Sequence, residues 1–130
     1  VVSVATRKGE ITPDDLLAGS LDGVERLLIH TWVSDAPDDQ WIEDIPYPGV
    51  ALIEALAARG VKLLGLDVSS VDSMDSATLP GHHALARLGM VNLENLMLRG
   101  VPDGDYELVA LPLKLDAACG SPVRAVLRTL

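Results

Sequence analysis

An α/β fold with a mainly β C-terminal end is predicted by three features of the 130 residues. Short aliphatic and β-branched runs alternate with segments that open on proline and close on glycine, the punctuation of helices. Residues 61–68 (VKLLGLDV) are almost continuously apolar, as in a parallel strand buried on both faces. Beyond residue 100 two apolar runs follow a Pro/Gly turn and read as closing strands. The resulting order is β-α-β-α-β-α-β-β-β.

The first strand is expected over residues 1–6, which are rich in β-branched side chains. Thr12 is placed to cap a helix, Pro13 suits its first position, and Asp14 and Asp15 favour the positive end of its dipole. That helix is short, running to about Ala18 before Gly19-Ser20. Residues 26–31 (RLLIHT) form the next strand. Residues 32–47 read as a polar, acidic loop, with Pro37, Pro46 and Pro48 in or beside it. A loop that long in a compact domain is usually functional or mobile.

Pro48 then opens a helix whose buried stripe is Val50, Leu52, Ile53 and Leu56, and Gly60 stops it at the C′ position. After strand 61–68 comes a Ser/Asp-rich loop over residues 69–78. Pro80 starts a third helix and Gly89 ends it. Strand 90–97 follows, then a turn at 101–105 (VPDGD) and strands at 106–115 and 123–130. There is no repeat, low-complexity tract or linker, so residues 1–130 are read as one domain. The apolar opening Val1-Val2-Ser3-Val4, without Met, is expected to belong to the interior of a longer polypeptide.

Composition narrows the function. Hydrophobic residues make up 48% of the chain, but with two Trp, two Tyr and no Phe the core must be built from Leu, Val, Ala and Ile. A net charge of −9 argues against nucleic acid and against an anionic membrane surface. One cysteine excludes an internal disulfide and fits a reducing, cytoplasmic setting. No apolar stretch is long enough to span a bilayer. The glycine-rich fingerprints of dinucleotide and nucleoside-triphosphate sites are missing, as are G-x-S-x-G, H-E-x-x-H and C-x-x-C.

What remains is chemistry by His, Asp, Glu and Ser. The three histidines are His30, His82 and His83. His82 falls in the first turn of the helix opened by Pro80. Glu94 falls on the strand after Gly89, where alternation puts it on one face with Met90, Asn92 and Leu96. A carboxylate inside an apolar element needs a cation or a hydrogen-bond donor. Because the helix and the next strand run antiparallel, the helix start can lie over the strand's far end. On spacing alone two readings stay open: a structural His82–Glu94 pair, or ligands of Zn²⁺ or Mn²⁺.

Asp72 and Asp75 read as solvated turn residues, while Asp67, at the end of a buried strand, fits either a pocket wall or a structural role. His30 reads as an ordinary strand histidine. Trp32 and Trp41 flank the acidic loop, where they either stack on an aromatic substrate or cover the core. Cys119, without an adjacent base, reads as an inert small apolar residue.

The stretches 64–76 (LGLDVSSVDSMDS), 79–96 (LPGHHALARLGMVNLENL), 102–115 (PDGDYELVALPLKL) and 120–125 (GSPVRA) together resemble the cyclase family of metal-dependent hydrolases. Within it, residues 28–32 (LIHTW), Trp41 and 60–67 (GVKLLGLD) resemble the bacterial kynurenine formamidases. The resemblance implies a swivelling β/β/α fold, a homodimer and a metal centre, usually zinc and often dinuclear, with manganese as the alternative. It implies hydrolysis of N-formyl-L-kynurenine to kynurenine and formate in tryptophan breakdown. It also implies His82 and Glu94 as metal ligands, since the family's histidine ligand lies twelve positions before its glutamate. The family's H-x-G-x-H-x-D-x-P-x-H type motif, which carries its other ligands and its catalytic histidine, has no counterpart here. The resemblance therefore implies an incomplete N-terminus and the downstream share of a site, with no catalytic base assigned. A catalytically inactive fragment, a dimerisation domain, or a hydrolase of another amide or cyclic imide are the alternatives.

Overall fold

The computed structural model describes residues 1–16 and 21–130. Its centre is a four-stranded parallel sheet in the order β1 (Val2–Ser3), β3 (Arg26–His30), β5 (Leu63–Leu66), β6 (Val91–Leu93). Parallel neighbours need crossovers. Helix α2 (Val50–Ala58) connects β3 to β5, and helix α3 (Pro80–Leu88) connects β5 to β6. A second, two-stranded parallel pair joins β2 (Gly9–Ile11) to β4 (Pro46–Pro48), and β7 (Tyr106–Pro112) pairs antiparallel with β8 (Val123–Thr129). Helix α1 (Pro13–Leu16) follows β2; the expected extension to Ala18 lies outside the described residues.

The core forms where the aliphatic runs converge. Leu52, Ile53 and Leu56 of α2 are fully buried against Leu27 and Ile29 of β3 and Leu64 and Leu66 of β5. The expected stripe of α2 is thus found, with Val50 only partly buried at its edge. Gly60 ends α2 in the left-handed region, φ 90°, where a Cβ would be strained. At α1 the capping runs opposite to expectation: Asp15 accepts hydrogen bonds from the Thr12 N–H (2.7 Å) and hydroxyl (2.6 Å). Those bonds hold the Asp15 carboxyl below its ordinary pKa.

Several elements differ from the sequence pattern. Only Val2–Ser3 of the expected strand 1–6 pairs in the sheet. Strand β2 carries too little apolar character to be seen in advance. The long loop contains a 3₁₀ turn (Trp32–Asp35) and β4. The prolines of β4 fit because the ladder uses odd-numbered residues. Gly9 N–H reaches the Ile45 carbonyl (3.3 Å) and Gly49 N–H the Ile11 carbonyl (3.0 Å), so Pro46 and Pro48 face the side that needs no donor. Strand β6 stops at Leu93 rather than running to Met97, and β7 stops at Pro112. Cys119 is exposed, not packed as an apolar residue. Among the described residues no helix is long and apolar enough to cross a membrane.

Asp67 has a structural role. Buried at the end of β5, it accepts bonds from the Thr31 N–H (2.9 Å), the Thr31 hydroxyl (2.8 Å) and the Ser34 N–H (3.3 Å), which ties β5 to the 3₁₀ turn after β3. Leu64→Ala removes a fully buried side chain from the middle of β5. It is expected to lower stability by about 2–5 kcal/mol, read as a lower urea midpoint at unchanged slope.

Candidate metal-binding site

Helix α3 begins in an unusual way. Leu79, its N-cap residue, is left-handed (φ 47°) and has no side chain able to accept a hydrogen bond. The first N–H groups of a helix need acceptors. They find one in Asp72, from the preceding loop. Its Oδ1 accepts from Gly81 N–H (2.6 Å) and its Oδ2 from His82 N–H (3.1 Å). The same Oδ2 lies 2.7 Å from His82 Nδ1. Gly81 is required by this approach: a Cβ there would meet the Val71 carbonyl oxygen at 2.6 Å and Asp72 Oδ1 at 2.9 Å. The Asp72 side chain is only 3% exposed. Burial pushes its pKa up, but hydrogen bonds from the His82 ring and from the Gly81 and His82 N–H groups, with the histidine's charge, outweigh this and hold the carboxyl below the ordinary aspartate value.

Glu94 reaches the same place by a different route. Leu93 still pairs with Gly65, but the next ladder bond runs from Leu96 N–H to the Leu66 carbonyl (3.0 Å). Asn95 N–H instead bonds the Val68 carbonyl (2.9 Å), so the register is broken between Leu93 and Leu96, with Asn95 left-handed at φ 56°. The break sends Glu94 to the loop before α3, where Oε1 accepts from Val71 N–H (3.1 Å) and stands 3.5 Å from His82 Nε2. Consecutive residues Val71 and Asp72 therefore hold Glu94 and His82 respectively.

The sequence placed His82 and Glu94 together, and the structure does so as well. It corrects the means: Glu94 is delivered by a break in the strand, not by strand alternation. It also corrects Asp72, expected to be a solvated turn residue, which is buried and organises the site. The available signal was a helix opening on Leu79-Pro80 with no capping side chain of its own, which demands an acceptor from elsewhere. Asp75 is an exposed loop residue, accepting from the Ser73 hydroxyl at 3.3 Å. His83 is exposed and does not join the site. His30 sits on β3, and its buried ring nitrogens have no hydrogen-bond partner among the described residues.

Chemically, Asp72 is placed to accept a hydrogen bond from His82 Nδ1–H, which in the neutral ring leaves Nε2 with a lone pair. That lone pair faces the Glu94 carboxylate. Two acceptors attract each other only through a shared cation or proton. At 3.5 Å the pair exceeds the usual hydrogen-bond length. Two donors bound at about 2.0–2.2 Å to one tetrahedral ion stand about 3.4 Å apart. The N/O donor set and its spacing thus fit a zinc-like ion. Among the described residues no group of three or more His, Cys, Asp or Glu side chains is arranged to hold a metal, so this is two donors of an incomplete shell.

The chain is 47% identical over 130 residues to a kynurenine formamidase of Salinibacter ruber, an alignment covering 98% of this chain and 60% of that protein. It is 42% identical to one of Maricaulis maris, covering 100% and 62%, and 47% identical over 110 residues to one of Bacillus cereus, covering 85% and 52%. The chain is homologous to the kynurenine formamidases. It spans about three-fifths of the length of the first two relatives. No protein-family model matches it. Among solved structures, a potential metal-dependent hydrolase with cyclase activity superposes with a TM-score of 0.86 at 25% identity, over 97% of this chain and 61% of that one. A predicted metal-dependent hydrolase from Bacillus stearothermophilus gives 0.80 at 27% identity, over 91% and 56%. The α/β fold expected from the cyclase resemblance is therefore the fold found.

Asp72→Asn is expected to flatten the acid limb of stability against pH, measured by urea unfolding with a chelator present. The depressed folded-state pKa makes the Asp72 contribution fully present above the unfolded value of 3.8, and the contribution is lost as pH falls through the lower folded value. Asp72→Ala also leaves the Gly81 and His82 N–H groups without their acceptor, and about 1–3 kcal/mol of stability is expected to go.

Proposed function

We propose that this chain is a single-domain portion of a kynurenine formamidase, and that the whole protein hydrolyses N-formyl-L-kynurenine to L-kynurenine and formate in tryptophan catabolism. The observation that carries the reading is the Asp72–His82–Glu94 array. A buried carboxylate sets the histidine tautomer and aims its free nitrogen at a second carboxylate, at a spacing suited to one divalent ion. The relatives' names supply the substrate. In this reading His82 and Glu94 are metal ligands, Asp72 orients His82, and zinc is the resident ion, in a mono- or dinuclear centre, with manganese as the alternative. A bound ion would supply Lewis acidity toward the formyl carbonyl and acidify a water molecule. This chain's residues contribute the positioning: Asp72 keeps the proton on Nδ1, Val71 N–H steadies Glu94, and Gly81 lets the loop close on the helix.

A homodimer and a cytoplasmic setting belong to the same proposal. The first is supported by apolar Val109, Leu111 and Val126, exposed on the β7–β8 hairpin, and the second by the single exposed thiol of Cys119. A second reading, hydrolysis of a cyclic amide, is favoured by one neighbour, an isatin hydrolase from Labrenzia aggregata with a TM-score of 0.74 at 25% identity.

Zinc titration by calorimetry is expected to show a site lost in His82→Ala and weakened about 10–100-fold in Asp72→Asn, as for other residues that orient a metal-bound histidine. Undiminished binding in His82→Ala and in Glu94→Ala would remove the metal reading. For the whole protein, formate release from N-formyl-L-kynurenine, compared with opening of isatin, is expected to favour the open-chain formamide and to disappear with chelator. Preference for isatin would select the second reading.

A further inference from the structure

Both tryptophans of the chain line one cavity. It measures ≈ 510 Å³ and is walled by Arg7, Lys8, Trp32, Trp41, Ile42, Glu43 and Asp44. The volume lies in the range of small-molecule sites, in a depression that opens widely to solvent. A second cavity of ≈ 420 Å³ shares Lys8, Glu43 and Asp44 with it and continues to Ser73, Met74 and Asp75. Those three residues directly follow Asp72. Neither cavity is lined by His82 or Glu94, but together they form a cleft that starts at the tryptophans and ends on the loop organising those residues.

The walls have a definite chemistry. The Trp32 indole N–H donates to the Arg7 carbonyl at 2.6 Å, and the Arg7 guanidinium lies over its ring, 4.9 Å from the centroid. Trp32 is therefore held in place. Trp41, which also lines the cavity, is 73% exposed and offers an open aromatic face in a chain with no Phe to spare. Arg7, Lys8, Glu43 and Asp44 form no ion pair among the described residues. One depression thus presents the open aromatic face of Trp41, beside a Trp32 ring stacked under Arg7, with two cations and two carboxylates that form no ion pair among the described residues. A ligand that satisfies all three needs an aromatic ring, a carboxylate and an ammonium group.

We infer that this cleft binds an aromatic α-amino acid as its zwitterion: Trp41 stacks on the ring, Arg7 and Lys8 take the carboxylate, and Glu43 and Asp44 take the ammonium group. The assignment rests on the proposed function only in naming that zwitterion as the substrate's amino-acid end. It places substrate recognition on residues 7–8 and 41–44, apart from the metal ligands.

The two indole N–H signals of ¹⁵N-labelled protein report on this cavity alone. Titration with L-kynurenine is expected to shift both in a saturable way, with 3-phenylpropionate (no ammonium), phenethylamine (no carboxylate) and cyclohexylalanine (no aromatic ring) each at least about tenfold weaker. Arg7→Ala, at an exposed side chain, and Trp41→Ala, followed through the remaining Trp32 signal, are each expected to weaken L-kynurenine about tenfold. Linear, unsaturable shifts, equal affinity for all four compounds, or unchanged affinity in both variants would overturn the assignment. His82→Ala separates the two ideas. Kynurenine binding that survives in this variant while zinc binding is lost supports both, and zinc binding without any kynurenine binding in the wild-type chain sinks this inference alone.

Discussion

The buried carboxylate of Asp72 is the interaction on which the site's geometry depends. It meets two unrelated needs at once. The first turn of α3 has backbone donors and no capping side chain, and His82 has a ring proton that must be placed on one nitrogen or the other. Bonds of 2.6, 3.1 and 2.7 Å to the Gly81 N–H, the His82 N–H and the His82 ring satisfy both. Helix start and imidazole orientation are thereby coupled: the loop cannot leave the helix without releasing the ring. A carboxylate so buried is stable only because every bond stabilises its ionised form.

From that anchor the site extends through backbone rather than through further side chains. Val71, next to Asp72, donates its N–H to Glu94, so two consecutive loop residues hold the two donors at 3.5 Å. Glu94 arrives because β6 breaks its register after Leu93 and Asn95 takes up a left-handed conformation. Asn tolerates that region better than most side chains do. At the end of β5, Asp67 performs a comparable structural service for the turn at Thr31–Ser34, and it is satisfied without any ligand. Two buried aspartates near one sheet edge thus differ in use. One closes on backbone and a hydroxyl, while the other leaves a histidine nitrogen pointing outward.

On the proposed reading, the cleft at Trp32 and Trp41 and the array at His82 and Glu94 would place recognition and metal binding on different walls. The connecting stretch is the loop 73–75, which borders the cleft on one side and Asp72 on the other. Both halves come from loops at the ends of strands, on a scaffold of aliphatic side chains that are fully buried.

Much of this was legible in the sequence because it is local. Proline and glycine set the limits of α2 and α3, and the apolar run around residues 63–66 declared a doubly covered strand; His82 and Glu94 were singled out by the family resemblance, since spacing alone left a structural pair and a ligand pair both open. What the sequence could not show is non-local. Asp72 looks like any loop aspartate until the fold brings the uncapped start of α3 against it, ten residues away in the chain but 2.7 Å in space. Glu94 looks like a strand residue because alternation continues past Leu93, and only the bonds from Asn95 to Val68 and from Leu96 to Leu66 show that the ladder register breaks there. Arg7 and Trp41 are separated by β2, α1, β3 and the 3₁₀ turn, so no window of sequence unites them. Local propensity therefore determined most of the elements, and the resemblance singled out His82 and Glu94. Burial and backbone hydrogen-bond satisfaction, properties of the assembled chain, decided which carboxylate serves the histidine and which carboxylate faces it.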